Sequence, residues 1–404
     1  TVAGYVTAFP VLVVLASFWI PLSQRVWRII LTVYFSLIAL VTAAIFAVDL
    51  NLYGYWGFRL DGSVLIYLSD PGEALASASW GEVLRQIIIM LVYAGAMIWS
   101  YRRILRLFRV EPVSLRGRIV PTVAALLIGG LTFLAIRGGV TVATANVSKV
   151  YFSSNMFLNH AATNPVFSFL SSVGDNENYA EAYPFFEEER RKTLFEELRG
   201  NRPGADAGTP RLLRSDRPNV VLILLESFGR TIMDETVNGE PVMPNMQRFK
   251  REGVWFENFF ANSFRTDRGQ VAVLCGFPAQ TTMSIMKLPR KSATLPSLAR
   301  SLGREGYRSV FMYGGDLNFT NQASFMYSTG WEELIWQKDM QLDAPTSKWG
   351  YADDVVVDLF GDEVEALGRA EQPFLAGLLT LSSHEPFEVP FAKFDDKLLN
   401  AMAF

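Results

Sequence analysis

The sequence predicts a helical membrane domain followed by an α/β domain with a mostly parallel sheet. Half of the 404 residues are hydrophobic and only 19% are charged, which is too apolar for one average soluble domain. Long apolar runs occupy much of the first 137 residues, whereas short strand patterns alternate with helix patterns after Pro218. We therefore expect a membrane domain at 1–137, a juxtamembrane region and linker at 138–218, and an α/β domain at 219–404.

Four apolar runs can be read as membrane-spanning helices, each of which needs about 20 residues. They lie at about 4–22, 29–48, 87–99 with its flanks, and 119–136. Arginines gather between the first two runs and between the last two, so by the positive-inside rule these loops face the cytoplasm. We expect Thr1 and everything after Arg137 on the outer side, which also predicts a fifth helix before Thr1. A buried hairpin of a soluble domain would not explain this charge asymmetry.

The juxtamembrane region mixes aromatic residues with Ser and Asn and then turns charged near 187–192. This pattern is typical of amphipathic helices near the outer leaflet, followed by a Pro- and Gly-rich linker at 201–218. His160 lies here, and we interpret it as a hydrogen-bonded packing residue. The net charge of −3 and the lack of a basic stripe argue against a nucleic-acid partner. Cys275 is the single cysteine, which excludes an intrachain disulfide.

The α/β domain is predicted from alternating patterns, with helices on both faces of a parallel sheet. The first strand is a continuous apolar run, which indicates a central strand buried on both faces. Active sites of such sheets lie at the carboxyl ends of the strands. The predicted strands are 220–225, 254–260, 309–313 and 374–381, and the predicted helices are 246–252, 295–303 and 353–367, with a helix start at 270–275.

Glu226 and Thr266 are the strongest candidates for chemistry. Glu226 follows the first apolar strand, where it is either a solvated carboxylate or a ligand for a hard divalent cation. Thr266 precedes a predicted helix, where it is either an N-cap or a nucleophile. A metal-bound hydroxyl loses its proton near neutral pH, and a helix N-terminus attracts a phosphoryl group. The pair therefore predicts an alkoxide nucleophile for phosphoryl or sulfuryl transfer.

Two further strand ends carry polar side chains. Tyr313-Gly314-Gly315-Asp316 follows one strand, and its paired glycines would let backbone approach a ligand closely, although Gly-Gly-Asp is also an ordinary turn. His384 follows the last apolar strand, where it could orient a phosphate or carry a proton, or simply be solvated.

Taken in order, these stretches resemble the lipoteichoic-acid-synthase-like branch of the sulfatase and alkaline-phosphatase superfamily. The resemblance rests on Leu225-Glu226-Ser227, Arg265-Thr266-Asp267, the turn ending at Asp316, Trp349-Gly350-Tyr351-Ala352-Asp353, and Ser383-His384-Glu385-Pro386-Phe387. It implies a sulfatase-like α/β domain outside the bacterial cytoplasmic (inner) membrane, held by a multi-pass anchor.

The resemblance also implies an activity, a metal and partners. A phosphoglycerol transferase would use Thr266 to attack phosphatidylglycerol or a related phospholipid, release diacylglycerol, and pass glycerol phosphate to a glycan or glycolipid. Glu226 and Thr266 would hold the divalent cation, manganese first and magnesium or zinc as alternatives. Asp316 and His384 would match headgroup-binding positions, and we expect Asn318 and Asn321 of the same turn to contact substrate.

The chain departs from the family's pattern in two places. The Asp-His pair that completes the family's metal site should follow His384 by several dozen residues, so we expect it beyond Phe404 and the domain to be C-terminally incomplete. Gly314 stands where the family has a His, and Asn321 roughly where it has a Trp. Two alternatives stay open: a phosphoethanolamine transferase of the same fold, and a non-catalytic lipid-binding or sensor member.

Overall fold

The computed structural model describes residues 1–62, 64–65, 80–110, 114–174, 184–199, 213–280 and 283–404. Each of the four apolar runs forms a helix: α1 (Val2–Ser17), α2 (Gln24–Trp56), α3 (Trp80–Leu105) and α4 (Ile119–Arg137). Within the described residues, three segments are long and apolar enough to cross a membrane, namely α2, α3 and Arg116–Arg137. The fourth, α1, is apolar but has 16 residues. The protein is therefore a membrane protein.

The membrane helices pack in pairs, α1 against α4 and α2 against α3. Many of their apolar side chains stay exposed, as expected for groups that face lipid; Leu127 of α4 is 67% exposed. Helix α2 has 33 residues, so at 1.5 Å per residue it is about 50 Å long, whereas the hydrocarbon core is about 30 Å thick. Helix α2 is therefore about 20 Å longer than the hydrocarbon region is thick.

The C-terminal end of α2 packs against the juxtamembrane helices α5 (Met156–Ala162) and α6 (Pro165–Ser172). Asn155 and Asn164 begin these two helices by accepting backbone N–H bonds. Helix α7 (Glu188–Arg199) follows with a charged surface. The predicted linker lies partly outside the described residues, because 201–212 are not among them.

His160 of α5 is a packing residue, as predicted. Its ring is buried, and its Nδ1 lies 3.1 Å from the Tyr53 hydroxyl of α2. Burial, together with the nearby Arg59 cation, lowers the pKa of His160 to about 4, against a smaller opposing effect of Asp49. Arg59 donates to the His160 carbonyl and pairs with the buried Asp49 carboxylate at 2.6 Å. The imidazole is therefore neutral at physiological pH.

The α/β domain is built on a parallel four-stranded sheet in the order β1-β6-β4-β5. A short antiparallel pair, β2 (Thr236–Val237) with β3 (Glu240–Pro241), lies apart from it. The sheet strands are β1 (Val220–Leu224), β4 (Arg308–Tyr313), β5 (Glu333–Trp336) and β6 (Phe374–Leu379). The helices are α8 (Arg230–Met233), α9 (Pro244–Glu252), α10 (Thr266–Cys275), α11 (Pro289–Ser292), α12 (Leu298–Arg304), α13 (Gln322–Ser328), α14 (Asp353–Gly368) and α15 (Lys397–Ala403).

Helices cover both faces of the sheet, as predicted. Alternate residues of β4 separate the two cores: Phe311 packs with α10, α12 and α13, whereas Met312 packs with α14. Gly377 of β6 leaves room for an aromatic pair, since a Cβ there would lie 2.7 Å from Phe311 and 2.8 Å from Trp331. These large buried side chains fix the sheet against its helices.

Several predicted elements were wrong. β1 is an edge strand among the described strands, not a central one. Val221 and Ile223 lie on the α14 side of the sheet, but α14 does not extend over β1, so these side chains are 47% and 49% exposed. The predicted strand 254–260 does not form, because its apolar side chains find no neighbouring strand; Phe260 is 83% exposed. Strand β5 was missed, and α10 begins at Thr266 rather than at 270.

Candidate active site

The Glu226 carboxylate and the Thr266 hydroxyl lie in direct contact. Thr266 is the first residue of α10, and its Oγ1 donates to Glu226 Oε2 at 2.9 Å. Arg265, not Thr266, holds the N-cap position, so the hydroxyl is not used in capping. Ser227 Oγ donates to the other carboxylate oxygen of Glu226 at 3.0 Å. The structure thus joins a helix-terminal hydroxyl to a strand-terminal carboxylate across 40 residues.

The backbone of Glu226 is held by the loop that follows β6. Its N–H donates to Thr380 Oγ1 at 2.8 Å, and the hydroxyl of the buried Ser383 donates to the Glu226 carbonyl oxygen. Sequence reasoning missed both residues. The available signal was the three hydroxyl residues Thr380, Ser382 and Ser383 directly after a buried strand.

Asp353 holds this same loop from the other side. Its carboxylate accepts from the N–H groups of Leu381 and Ser382, each at 2.8 Å, and Ser382 Oγ accepts from the Asp353 N–H. Burial raises the pKa of Asp353 above its usual value, against the opposing effect of these hydrogen bonds. Asp353 begins α14, where the helix dipole also favours a carboxylate. It is a positioning residue for the loop that carries His384.

His384 lies at the edge of this loop, half-buried beside Trp349. The two ring centroids are 4.3 Å apart, and both rings bond the Glu385 carbonyl oxygen: Trp349 Nε1 at 2.8 Å and His384 Nδ1 at 2.9 Å. Phe319 extends the row on the other side of Trp349, at 5.7 Å between centroids. The structure thus gives His384 a fixed aromatic support.

Asp316 and Asn318 form a turn at the carboxyl end of β4. Asp316 Oδ1 accepts from both the backbone N–H and the side-chain Nδ2 of Asn318, at 2.9 and 2.8 Å. The preceding Tyr313 is buried, and its pKa is raised first by burial and then by the carboxylates of Glu226, Asp353 and Asp316. Two strand-end carboxylates, Glu226 and Asp316, and the helix-terminal Asp353 therefore all disfavour ionisation of this phenol.

The paired glycines admit protein backbone rather than a ligand. A Cβ on Gly315 would lie 2.7 Å from the Tyr313 ring and 2.8 Å from the Trp349 carbonyl oxygen. Gly350, with φ of +150°, bridges to Gly315, and a Cβ there would lie 2.2 Å from the Gly314 oxygen. The predicted close approach is real, but it is made by the loop that carries Trp349.

Asn321 is separated from the other candidates. It lines a cavity between the juxtamembrane helices and the α/β domain, whose lining includes none of Glu226, Thr266, Asp316, Asn318 or His384. The strand-end candidates thus share one edge of the sheet, and Asn321 belongs to a neighbouring site.

The donor atoms present suit a hard cation but do not make a complete set. Glu226 and Thr266 present oxygen ligands within 2.9 Å of each other, and oxygen donors are preferred by magnesium and manganese. Among the described residues, no cluster of three His, Cys, Asp or Glu side chains could hold a metal ion. The pair fits a divalent cation as two of its ligands.

Comparison with known proteins gives the family of the α/β domain. A model of the sulfatase family matches residues 218–401. These residues are a sulfatase-family domain. Phosphoglycerol transferase I of Xanthomonas campestris is 36% identical over 183 residues, covering 42% of this chain and 26% of that protein. Lipoteichoic acid synthase 1 of Bacillus subtilis is 30% identical over 191 residues, covering 42% of this chain and 27% of that protein.

These matches confirm the lipoteichoic acid synthase-like branch of the alkaline phosphatase superfamily for the sulfatase-family domain. The chain spans about a quarter of the length of these curated relatives. Two solved structures also align. An alkaline phosphatase superfamily protein of Vibrio parahaemolyticus has a TM-score of 0.43 and 28% identity, over 47% of this chain and 48% of that one. The lipoteichoic acid synthase LtaP of Listeria monocytogenes has a TM-score of 0.44 and 20% identity, over 46% of this chain and 48% of that one.

Proposed function

We propose that the chain acts as a membrane-anchored phosphoglycerol transferase, moving glycerol phosphate from phosphatidylglycerol to a hydroxyl of a glycan or glycolipid. The observation that carries the proposal is the Thr266 hydroxyl, which lies at the N-terminus of α10 and donates to Glu226 at 2.9 Å. The relatives named phosphoglycerol transferase and lipoteichoic acid synthase support the reaction class. The three candidate membrane spans support a lipid donor.

In the proposed first step, Thr266 Oγ1 attacks the phosphorus of the donor. A bond forms between Oγ1 and phosphorus, the bond from phosphorus to the diacylglycerol oxygen breaks, and diacylglycerol leaves with a proton. Glu226 Oε2 orients the hydroxyl, since it already accepts its hydrogen bond. The positive end of the α10 dipole favours the negative phosphoryl group. In the second step an acceptor hydroxyl attacks the same phosphorus, and Thr266 Oγ1 leaves and regains a proton.

We propose that Glu226 and Thr266 hold a divalent cation, manganese first and magnesium or zinc as alternatives. Such a cation would lower the pKa of the Thr266 hydroxyl toward neutrality. His384 and the turn of Asp316 and Asn318 lie at the same sheet edge, and we assign them to the donor headgroup. The arginine-rich loops support an inner-membrane, multi-pass topology with the sulfatase-family domain outside the cytoplasm.

The test measures release of fluorescent diacylglycerol from fluorescent phosphatidylglycerol by the protein in liposomes with manganese. Thr266→Ala should lower the rate by about a thousand-fold or more, because it removes the nucleophile. Thr193→Ala is the matched control, since Thr193 lies on the charged helix α7 and its hydroxyl donates to the Glu189 carbonyl of the same helix. Mass spectrometry should find a phosphoglycerol adduct on the peptide containing Thr266. Turnover that persists in Thr266→Ala would rule out this nucleophile.

The same assay separates the two alternative functions. Release from phosphatidylethanolamine but not from phosphatidylglycerol would identify a phosphoethanolamine transferase. Binding of either lipid without any release by the unchanged protein would identify a non-catalytic member.

A further inference from the structure

The segment that follows the last membrane helix folds back onto the end of that helix. Helix α4 ends at Arg137, and Gly138 follows with a left-handed φ of +87°. The Ala145 N–H donates to the Arg137 carbonyl oxygen at 2.7 Å. Lys149 Nζ donates to the Gly138 carbonyl oxygen at 2.9 Å. The 3-10 turn Val147–Val150 is therefore tied to the end of α4.

This 3-10 turn contacts the sulfatase-family domain through two polar side chains. Asn146 begins the turn: its Oδ1 accepts from the Ser148 N–H at 2.9 Å, and its Nδ2 donates to the Asn318 carbonyl oxygen at 2.6 Å. The buried Ser148 Oγ accepts from the Ser324 N–H at 3.0 Å. Ser324 lies in the first turn of α13, where backbone N–H groups have no acceptor within the helix. Ser148 therefore caps α13 from a distant part of the chain.

The two contacts lie on either side of a strained stretch of backbone. Thr320 and Asn321 lie between Asn318 and α13, and they have left-handed φ angles of +52° and +66°. Such angles are uncommon outside glycine and are costly for a β-branched residue such as Thr. They persist only where the surrounding contacts hold the backbone. Asn146 supplies such a contact before the stretch, and Ser148 supplies one after it.

Asn318 links these contacts to the candidate active site. Its N–H and its side chain bond the Asp316 carboxylate, whereas its carbonyl oxygen accepts from Asn146. The turn of Asp316 and Asn318 is thus held from within and from the segment that follows the membrane helix. Loss of the Asn146 bond would free one side of this turn, while the contact between Thr266 and Glu226 would stay in place.

We propose that Asn146 and Ser148 are positioning residues of the transferase, which hold the turn of Asp316 and Asn318 in the conformation that binds the donor headgroup. The proposal rests on the proposed function, because that function assigns this turn to the donor. Neither residue touches the reacting atoms, so each acts on donor affinity rather than on the chemical step. The segment tied to α4 thereby becomes part of the donor site.

Three variants separate this role from a local one. Asn146→Asp keeps the oxygen that accepts from Ser148, but it replaces the Nδ2 donor with a carboxylate oxygen that repels the Asn318 carbonyl. Ser148→Ala removes the acceptor of the Ser324 N–H. Asn155→Asp is the matched control, since it makes the same change at an exposed Asn that begins α5 in the same juxtamembrane region.

The first measurement is hydrogen exchange followed by mass spectrometry, on the protein in detergent micelles. Asn146→Asp and Ser148→Ala should each speed exchange in 316–324 about ten-fold, while β6 keeps its protection because the domain stays folded. Asn155→Asp should leave both regions unchanged. Unchanged exchange of 316–324 in Asn146→Asp and Ser148→Ala would overturn the proposal, and so would an equal acceleration in β6, which would indicate general destabilisation.

The second measurement is diacylglycerol release in liposomes over a series of phosphatidylglycerol mole fractions. Asn146→Asp and Ser148→Ala should raise the KM for the donor about five-fold and change kcat by less than about two-fold. A fall in kcat at an unchanged KM would overturn the positioning role. Absence of release by the unchanged protein would instead contradict the proposed function, and the exchange of 316–324, which needs no turnover, would still support or overturn the contacts of Asn146 and Ser148.

Discussion

Asp353 is expected to be the main support of the loop that carries Ser383 and His384. Asp353→Ala removes the acceptor for two N–H groups, those of Leu381 and Ser382. A buried donor left unpaired costs about 1–3 kcal/mol, so the gross loss is roughly 2–6 kcal/mol. Burial raises the pKa of Asp353, which means that the folded protein disfavours this charge. Relief of that cost offsets part of the loss, and we expect about 2–4 kcal/mol of destabilisation.

The assay is pulse proteolysis in a urea series, on the protein in detergent micelles. Asp353→Asn keeps one acceptor oxygen and should lose roughly half as much stability. Asp354→Ala is the matched control, because Asp354 is the next residue of the same helix turn and is exposed; it should change stability by less than about 0.5 kcal/mol. Diacylglycerol release by Asp353→Ala should also fall in buffer where the domain is still folded, since Ser383 no longer holds Glu226. Equal stability of Asp353→Ala and Asp354→Ala would refute the argument.

Three further predictions concern other parts of the chain. His160 has a folded pKa of about 4, below its unfolded value, so its stabilising effect is present above pH 6.5 and is lost as the pH falls toward 4. The free energy of unfolding should therefore fall between pH 7 and pH 5 by about 1 kcal/mol more in the unchanged protein than in His160→Gln, after allowing for solvent screening. An equal fall in both proteins would contradict this. Gly350→Ala should prevent stable folding, measured as rapid proteolysis, because the added Cβ would clash with the Gly314 carbonyl oxygen. The control is Gly361→Ala in α14, where a Cβ has open space; it should be neutral or stabilising by about 0.5–1 kcal/mol. Glu226→Gln should weaken manganese binding at least about ten-fold by electron paramagnetic resonance; unchanged affinity would remove Glu226 from the proposed metal site.

The elements that could be predicted are those with a strong local signal. Strand β6 is a continuous apolar run, β4 is apolar from Val310 to Tyr313, and α14 has a long periodic pattern. All three elements were predicted within two residues of their observed bounds. Strand β5 was missed because Glu333–Trp336 is short and begins with an acid. The segment 254–260 has a strand composition but no neighbouring strand, and composition alone does not reveal that.

The candidate site was predictable in its residue types and only partly in its contacts. Glu226 and Thr266 were paired from their positions, and the structure places their oxygens 2.9 Å apart. Their chemical roles stay predictions. The turn glycines were read as making room for a ligand, but the space is filled by the loop of Trp349. Asn321 was grouped with Asp316, yet it lines the cavity between the juxtamembrane helices and the sulfatase-family domain.

Local order in the chain is enough to divide this protein into a membrane part and a sulfatase-family domain, and to put carboxylate, hydroxyl and imidazole groups at strand ends. Hydrophobic length and periodicity carry that information, because they report burial in each segment separately. The supports of the site, Thr380, Ser383 and Asp353, are determined only by the folded sheet. Their contacts with Glu226 or with its loop depend on strand order and register, which bring together residues that are far apart in the chain.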